Sequence, residues 1–143
     1  KTPEALVRGL HNALNSNAKQ YNIELKKDDL TEKFTELITT LGKTLGPVAV
    51  IVDEYDKPIV NLIDDPEMAE RSRTELRDFY STLKGQSIDA NMHFLFVTGV
   101  SKFAKVALFS DLNNLYDLTN DERAAALVGY TDQEVDTYLK EHI

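Results

Sequence analysis

The segment PVAVIVDEYDKP, residues 47–58, constrains the fold of this chain more than any other stretch. Five of the six residues from Val48 to Asp53 are Val, Ile or Ala without polar alternation, which predicts a β-strand buried on both faces. Asp53 and Glu54 follow at the carboxyl end of that strand. Because open α/β sheets bind their ligands at this edge, the two carboxylates are the first candidates for a functional site.

A second apolar run, Met92–Thr98, predicts another buried strand. Between the two runs, Asp65 and Pro66 open a helical pattern that continues to about Leu83. A connection that carries a helix between two buried strands is typical of a parallel βαβ unit. The predicted fold class is therefore α/β, with parallel strands and flanking helices.

Further elements are predicted on both sides of this unit. Before it, helices are predicted from Thr2 to about Gln20 and from Asp29 to Leu45. After it, a short helix is predicted at Lys102–Phe109 and a brief third strand at Tyr116–Leu118. Two further short helices are predicted from capping boxes, one at Thr119 with Glu122 and one at Thr131 with Glu134. The sequence contains no repeat and no linker-like tract, so one domain over residues 1–143 is expected.

Composition excludes several classes of protein. The chain has 143 residues, a net charge of −8 and no cysteine, so a disulfide framework and a thiolate metal site are ruled out. The negative charge argues against overall attraction to nucleic acid or to an anionic membrane surface. No apolar run reaches the roughly 18 to 20 residues that a membrane span requires. A reducing, cytoplasmic setting is the expectation.

The acidic pair and the end of the second strand predict specific chemistry. P-loop ATPases use a hydrophobic strand followed by Asp-Glu to hold Mg²⁺ and to orient the attacking water. On this interpretation Asp53 is the Mg²⁺ ligand and Glu54 orients the water. The neighbouring strand then presents a polar residue near the γ-phosphate, for which Thr98 is the first candidate and Ser101 the second. The alternative is that these are ordinary loop, strand-end and helix-cap residues.

Three blocks in order, IVDEYDKPI, FVTGVSKFAKVALFSDLNNLYDLT and GYTDQEV, resemble the predicted AAA-ATPase-like family of uncharacterised bacterial proteins over about residues 40–143. The resemblance implies a partial P-loop NTPase core of the ASCE or AAA-like kind that uses ATP and Mg²⁺. It implies that Asp53 is the Mg²⁺-side carboxylate of Walker B, that Glu54 is the catalytic carboxylate, and that Thr98 lies in the sensor strand. Members often carry a nuclease-like domain further along the chain.

The sequence departs from that family at the phosphate-binding loop. A Walker A loop reads G-x-x-x-x-G-K-[ST], whereas Gly42-Lys43-Thr44 is preceded by Leu37 at the position of the first glycine and lies on the tail of an amphipathic helix. We therefore expect the chain to be a truncated domain that does not hydrolyse ATP by itself. An exposed sheet edge is then expected to favour a homo-oligomer. The alternative function is a non-catalytic protein-interaction domain on the same fold.

Overall fold

A computed structural model describes residues 2–100, 115–127 and 129–140. The chain divides into two compact units, residues 1–113 and residues 114–143. The first unit contains, in chain order, α1 (Pro3–Gln20), α2 (Leu30–Leu45), β1 (Val48–Val52), α3 (Lys57–Val60), α4 (Pro66–Ser81) with a 3₁₀ turn at Thr82–Lys84, α5 (Gln86–Asp89) and β2 (Met92–Val97). The three long helices predicted between residues 2 and 83 and the two predicted parallel strands are confirmed.

Each long helix begins where a side chain can accept a hydrogen bond from its first turn. The Thr2 hydroxyl accepts from the Ala5 amide at 3.2 Å, and Pro3 follows the cap. The Asp29 carboxylate accepts from the amides of Thr31 and Glu32, and Asp65 accepts from Met68 at 3.1 Å. The helix starts predicted from these residues are therefore confirmed.

The core of the first unit forms between the helices. Phe34 of α2 stacks on Phe79 of α4, with ring centroids 4.8 Å apart. Leu76, Leu83 and Ile88 are also fully buried. Burial of a large apolar side chain contributes about 1.5–3 kcal/mol, so this packing stabilises the unit.

The strands β1 and β2 run parallel, as predicted, with Ala49 opposite Phe94 and Val52 opposite Val97. Burial on both faces of β1 was predicted and is wrong for the described residues, because Ile51 is 68% exposed whereas Val50 is buried. The reason is that α2 packs on β1 and α5 on β2, and the described elements leave the face with Ile51 and Phe94 uncovered.

The second unit is smaller. It contains a 3₁₀ turn at Glu122–Ala124 and α6 (Asp132–Tyr138), which opens with the predicted capping box between Thr131 and Glu134. The predicted strand at Tyr116–Leu118 is wrong, since these residues form no ladder. The predicted capping box at Thr119 is also wrong, because Asp121 caps the 3₁₀ turn and the Thr119 amide donates to Asp117. The predicted helix at Lys102–Phe109 lies outside the described residues.

None of the helices in the described ranges has both the length and the apolar character needed to cross a membrane.

Candidate functional site at the carboxyl edge of the sheet

The carboxyl ends of β1 and β2 meet at one edge, and their pairing continues beyond the strands. The Thr98 amide donates to the Val52 carbonyl at 2.9 Å, and the Tyr55 amide donates to the Thr98 carbonyl at 3.0 Å. The backbone that follows β1 is therefore held against the backbone that follows β2. This pairing brings the acidic pair next to the residue predicted as the sensor.

The Thr98 side chain connects both members of the acidic pair. Its hydroxyl donates a short hydrogen bond to Oδ1 of Asp53 and accepts one from the Glu54 amide at 3.2 Å. Asp53 and Glu54 are exposed, and Thr98 is half-buried. The structure thus brings together three of the four residues singled out from the sequence. Ser101, the fourth, lies outside the described residues.

Glu54 has a backbone conformation that is rare for a side-chain-bearing residue. Its φ is 52°, in the left-handed region, where a non-glycine residue costs roughly 1–2 kcal/mol. The hydrogen bond from its amide to Thr98 and the continued pairing at Tyr55 hold it there. Strain of this kind is kept where the surrounding contacts over-determine the backbone, and such positions concentrate at functional sites.

Lys57 is a member of the site that the sequence argument missed. Its ammonium group pairs with Oε2 of Glu54, and both side chains are exposed. The hydrogen bond and charge of Glu54, with a smaller effect from Asp53, raise the pKa of Lys57. The spacing of Glu54 and Lys57, three residues apart at the start of a short helix, was the signal available in the sequence.

Two further residues of the DEYD segment are buried, which was also missed. Asp56 is 1% exposed, and its Oδ2 accepts from the Val100 amide at 3.0 Å. The Tyr55 ring lies directly against Gly99. Tyr80 of α4 lies near both, and burial, then the charge of Asp56 and the neighbouring Tyr55, raise the pKa of Tyr80 to about 12. Tyr55 and Asp56 therefore contact the backbone that follows β2, at Gly99 and Val100.

Asp53 is the candidate metal ligand at this edge. Among the described ranges, no group of three or more His, Cys, Asp or Glu residues could hold an ion. Asp53 offers a single exposed carboxylate, one oxygen of which is bonded to Thr98. Such a position is compatible with Mg²⁺, which keeps several waters and takes one or two carboxylates together with substrate phosphates.

The Gly42-Lys43-Thr44 triplet is helical, as the sequence interpretation held. It lies in the last turn of α2, and the Thr44 hydroxyl donates to the Thr40 carbonyl at 2.8 Å. Gly42 serves packing, because a Cβ at this position would overlap the side chain of Asn91. The amides of this triplet are engaged in a helix and do not form a phosphate-binding loop.

The comparisons with known proteins agree with an α/β unit that carries acidic residues at the strand edge. The family described as "Predicted AAA-ATPase" matches residues 1–109, and the chain belongs to that family. The resemblance found from the sequence blocks is confirmed, although the matched range begins at residue 1 and ends before the GYTDQEV block.

A relative from Azotobacter chroococcum mcd 1, named "Uncharacterized protein in vnfD 5'region", is 49% identical over 105 residues, which is 73% of this chain. The chain spans about a fifth of the length of that relative. No solved structure matches the chain.

Proposed function

We propose that this chain carries the Walker B strand and the sensor strand of a P-loop ATPase core, and that the protein containing it binds and hydrolyses ATP with Mg²⁺. One observation carries the proposal: the Thr98 hydroxyl joins the Asp53 carboxylate and the Glu54 amide at the carboxyl edge of two parallel strands. Membership of a family described as a predicted AAA-ATPase supports the same class of activity.

Each residue of the edge has a distinct role in this proposal. Asp53 is the metal-side carboxylate, and the bond from Thr98 fixes its side-chain orientation before a nucleotide arrives. The bound Mg²⁺ would neutralise charge on the β- and γ-phosphates. Glu54 is the catalytic carboxylate, which orients the attacking water and accepts its proton at a carboxylate oxygen. Thr98, bonded to both neighbours, is placed to respond when the γ-phosphate is present or lost.

ATP turnover in this proposal also needs a phosphate cradle that the described residues lack. A carboxylate pair alone does not bind a triphosphate tightly, because backbone amides and a lysine supply most of the phosphate contacts in P-loop proteins. The matched residues cover only 20% of the related protein. We propose that the cradle lies in a longer protein, and that the 143-residue chain alone has no appreciable ATPase activity.

The test compares Glu54→Gln with a matched control in a longer protein that includes a Walker A segment. Glu54→Gln should leave ATP binding intact and reduce hydrolysis by about 10²–10⁴-fold, since it removes the group that activates the water. Glu75→Gln makes the same chemical change at an exposed position of α4 and should hydrolyse ATP at the wild-type rate. Equal activity of wild type and Glu54→Gln would remove Glu54 from the mechanism.

A second candidate function, a non-catalytic interaction domain, is favoured by one observation. Ile51 and Phe94 lie on one sheet face and are 68% and 47% exposed, and exposed apolar side chains that form a patch mark interaction sites. The open reading frame separates the two candidates. A strand followed by G-x-x-x-x-G-K-[ST] before residue 1 supports the ATPase, and a frame that contains no such loop supports the interaction domain.

A further inference from the structure

Three successive hydrogen bonds link the backbone that follows β1 to the backbone that follows β2. The Glu54 amide donates to the Thr98 hydroxyl, the Tyr55 amide donates to the Thr98 carbonyl, and the Val100 amide donates to Asp56. The first two links hold Thr98 from the side of β1. The third holds the backbone two residues beyond Thr98, so the β2 exit is fixed on both sides of Gly99.

Asp56 is an unusual residue for this task, because a carboxylate is rarely as buried as this one. Its side chain is 1% exposed, and its Oδ1 lies 2.9 Å from the point where a Cβ of Gly99 would stand. A buried carboxylate is retained only where its hydrogen bonds offset the loss of water. The Val100 amide is one such partner, and the contact with Gly99 allows the chain to approach closely enough to make the bond.

We propose that Asp56 is a positioning residue for the proposed ATPase site: by holding the Val100 amide, it fixes Thr98 in register with Asp53 and Glu54. This inference rests on the proposed function only where it predicts that substitution of Asp56 lowers ATP turnover. Its structural part concerns the 143-residue chain alone, so the two parts are tested separately.

The alternative role for Asp56 is stability of the fold alone. In that case its removal would lower global stability and leave the local geometry at Thr98 unchanged in the folded fraction. Positioning predicts a local effect instead, and it predicts rescue by asparagine, whose side-chain oxygen can also accept from the Val100 amide. Asp64→Asn is the matched control, because it removes the same charge from an exposed turn residue.

The structural test is amide hydrogen exchange by NMR on the 143-residue chain. Asp56→Ala should accelerate exchange of the Thr98 and Tyr55 amides by about 10-fold or more relative to helix α2, because local opening of the exits becomes easier. Asp56→Asn and Asp64→Asn should keep the wild-type protection. Unchanged protection at Thr98 in folded Asp56→Ala would overturn the proposal, whatever the ATPase assay shows.

The functional test uses the longer protein. Asp56→Ala should reduce kcat by about 100-fold, with KM for ATP changed much less, because a misplacement of the order of 1 Å at the reacting groups suffices for such a loss. Asp56→Asn should stay within about threefold of wild type. If Asp56→Ala does not fold, as judged by circular dichroism, Asp56→Asn decides the matter. A folded Asp56→Asn as inactive as Glu54→Gln would show that the charge itself is required and overturn the positioning role.

Inactivity of the wild-type longer protein has a different meaning. It would refute the proposed ATPase function, and the exchange experiment would still decide whether Asp56 holds the two strand exits in register.

Discussion

The substitution Gly99→Ala tests the close contact between the two strand exits. A Cβ at residue 99 would overlap the Tyr55 ring and would stand 2.9 Å from Oδ1 of Asp56, well inside the roughly 3.5–4.0 Å of an ordinary contact. Tyr55 is 7% exposed and Asp56 is 1% exposed, so a shift of either side chain disturbs buried contacts. To admit the methyl group, these side chains or the strand exits must move.

We expect Gly99→Ala to lower the free energy of unfolding by about 1–3 kcal/mol, the usual cost of adding a methyl group to a packed interior. Gly9→Ala is the matched control, because nothing lies within 4 Å of a Cβ at that helical position. It should raise the free energy of unfolding by up to about 1 kcal/mol through helix propensity. The same chemical change should thus have opposite signs at the two sites.

Urea unfolding followed by far-UV circular dichroism measures both variants. A second readout, the exchange rate of the Thr98 amide, locates the effect at the strand exits. The reasoning is refuted if Gly99→Ala is as stable as wild type, or if both glycine variants shift the urea midpoint in the same direction.

Three further predictions concern other parts of the molecule. The buried Ser72 hydroxyl has no hydrogen-bond partner among the residues that the structure describes. Ser72→Ala should therefore leave the free energy of unfolding in urea unchanged or raise it by up to about 1–3 kcal/mol, and a clear loss of stability would contradict this. Hydrogen bonds from the Thr31 hydroxyl and the Glu32 amide lower the pKa of Asp29. Asp29 therefore contributes stability that is fully present at pH values above its ordinary pKa of 3.8 and is lost as the pH falls through the lowered pKa of the folded state. Asp29→Asn keeps a cap and should show a smaller acid loss of stability, whereas an identical pH profile would exclude Asp29 as a source. We also propose that the sheet edges left unpaired among the described residues pair with a second copy of the chain, so light scattering should show dimers at high concentration and a monomer would count against it.

Much of the first unit follows from local sequence signals. Thr2, Asp29 and Asp65 each stand before a periodic apolar pattern, and a cap is decided within one helical turn. The parallel pairing of β1 and β2 follows from two apolar runs with a helix between them. The meeting of Asp53 with Thr98 was predictable for the same reason, since parallel strands end at a common edge.

Other features depend on contacts that no local pattern records. The apolar run of β1 predicts burial, but whether Ile51 is covered depends on which elements pack on each face. Asp56 follows a strand in a polar segment, which is typical of a loop, and its burial becomes evident only when Gly99 is found opposite. In the second unit, the Asp117 side chain captures the Thr119 amide, and this local bond competes with the strand and helix that the sequence predicted there.

The most direct test of the ATPase account is a crystal structure of the longer Glu54→Gln protein with Mg²⁺ and ATP. The account predicts Mg²⁺ at the carboxyl edge of β1, held by Asp53 directly or through one water, with the γ-phosphate within reach of Thr98. Nucleotide bound away from this edge, or Mg²⁺·ATP bound with no contact to Asp53, would contradict it.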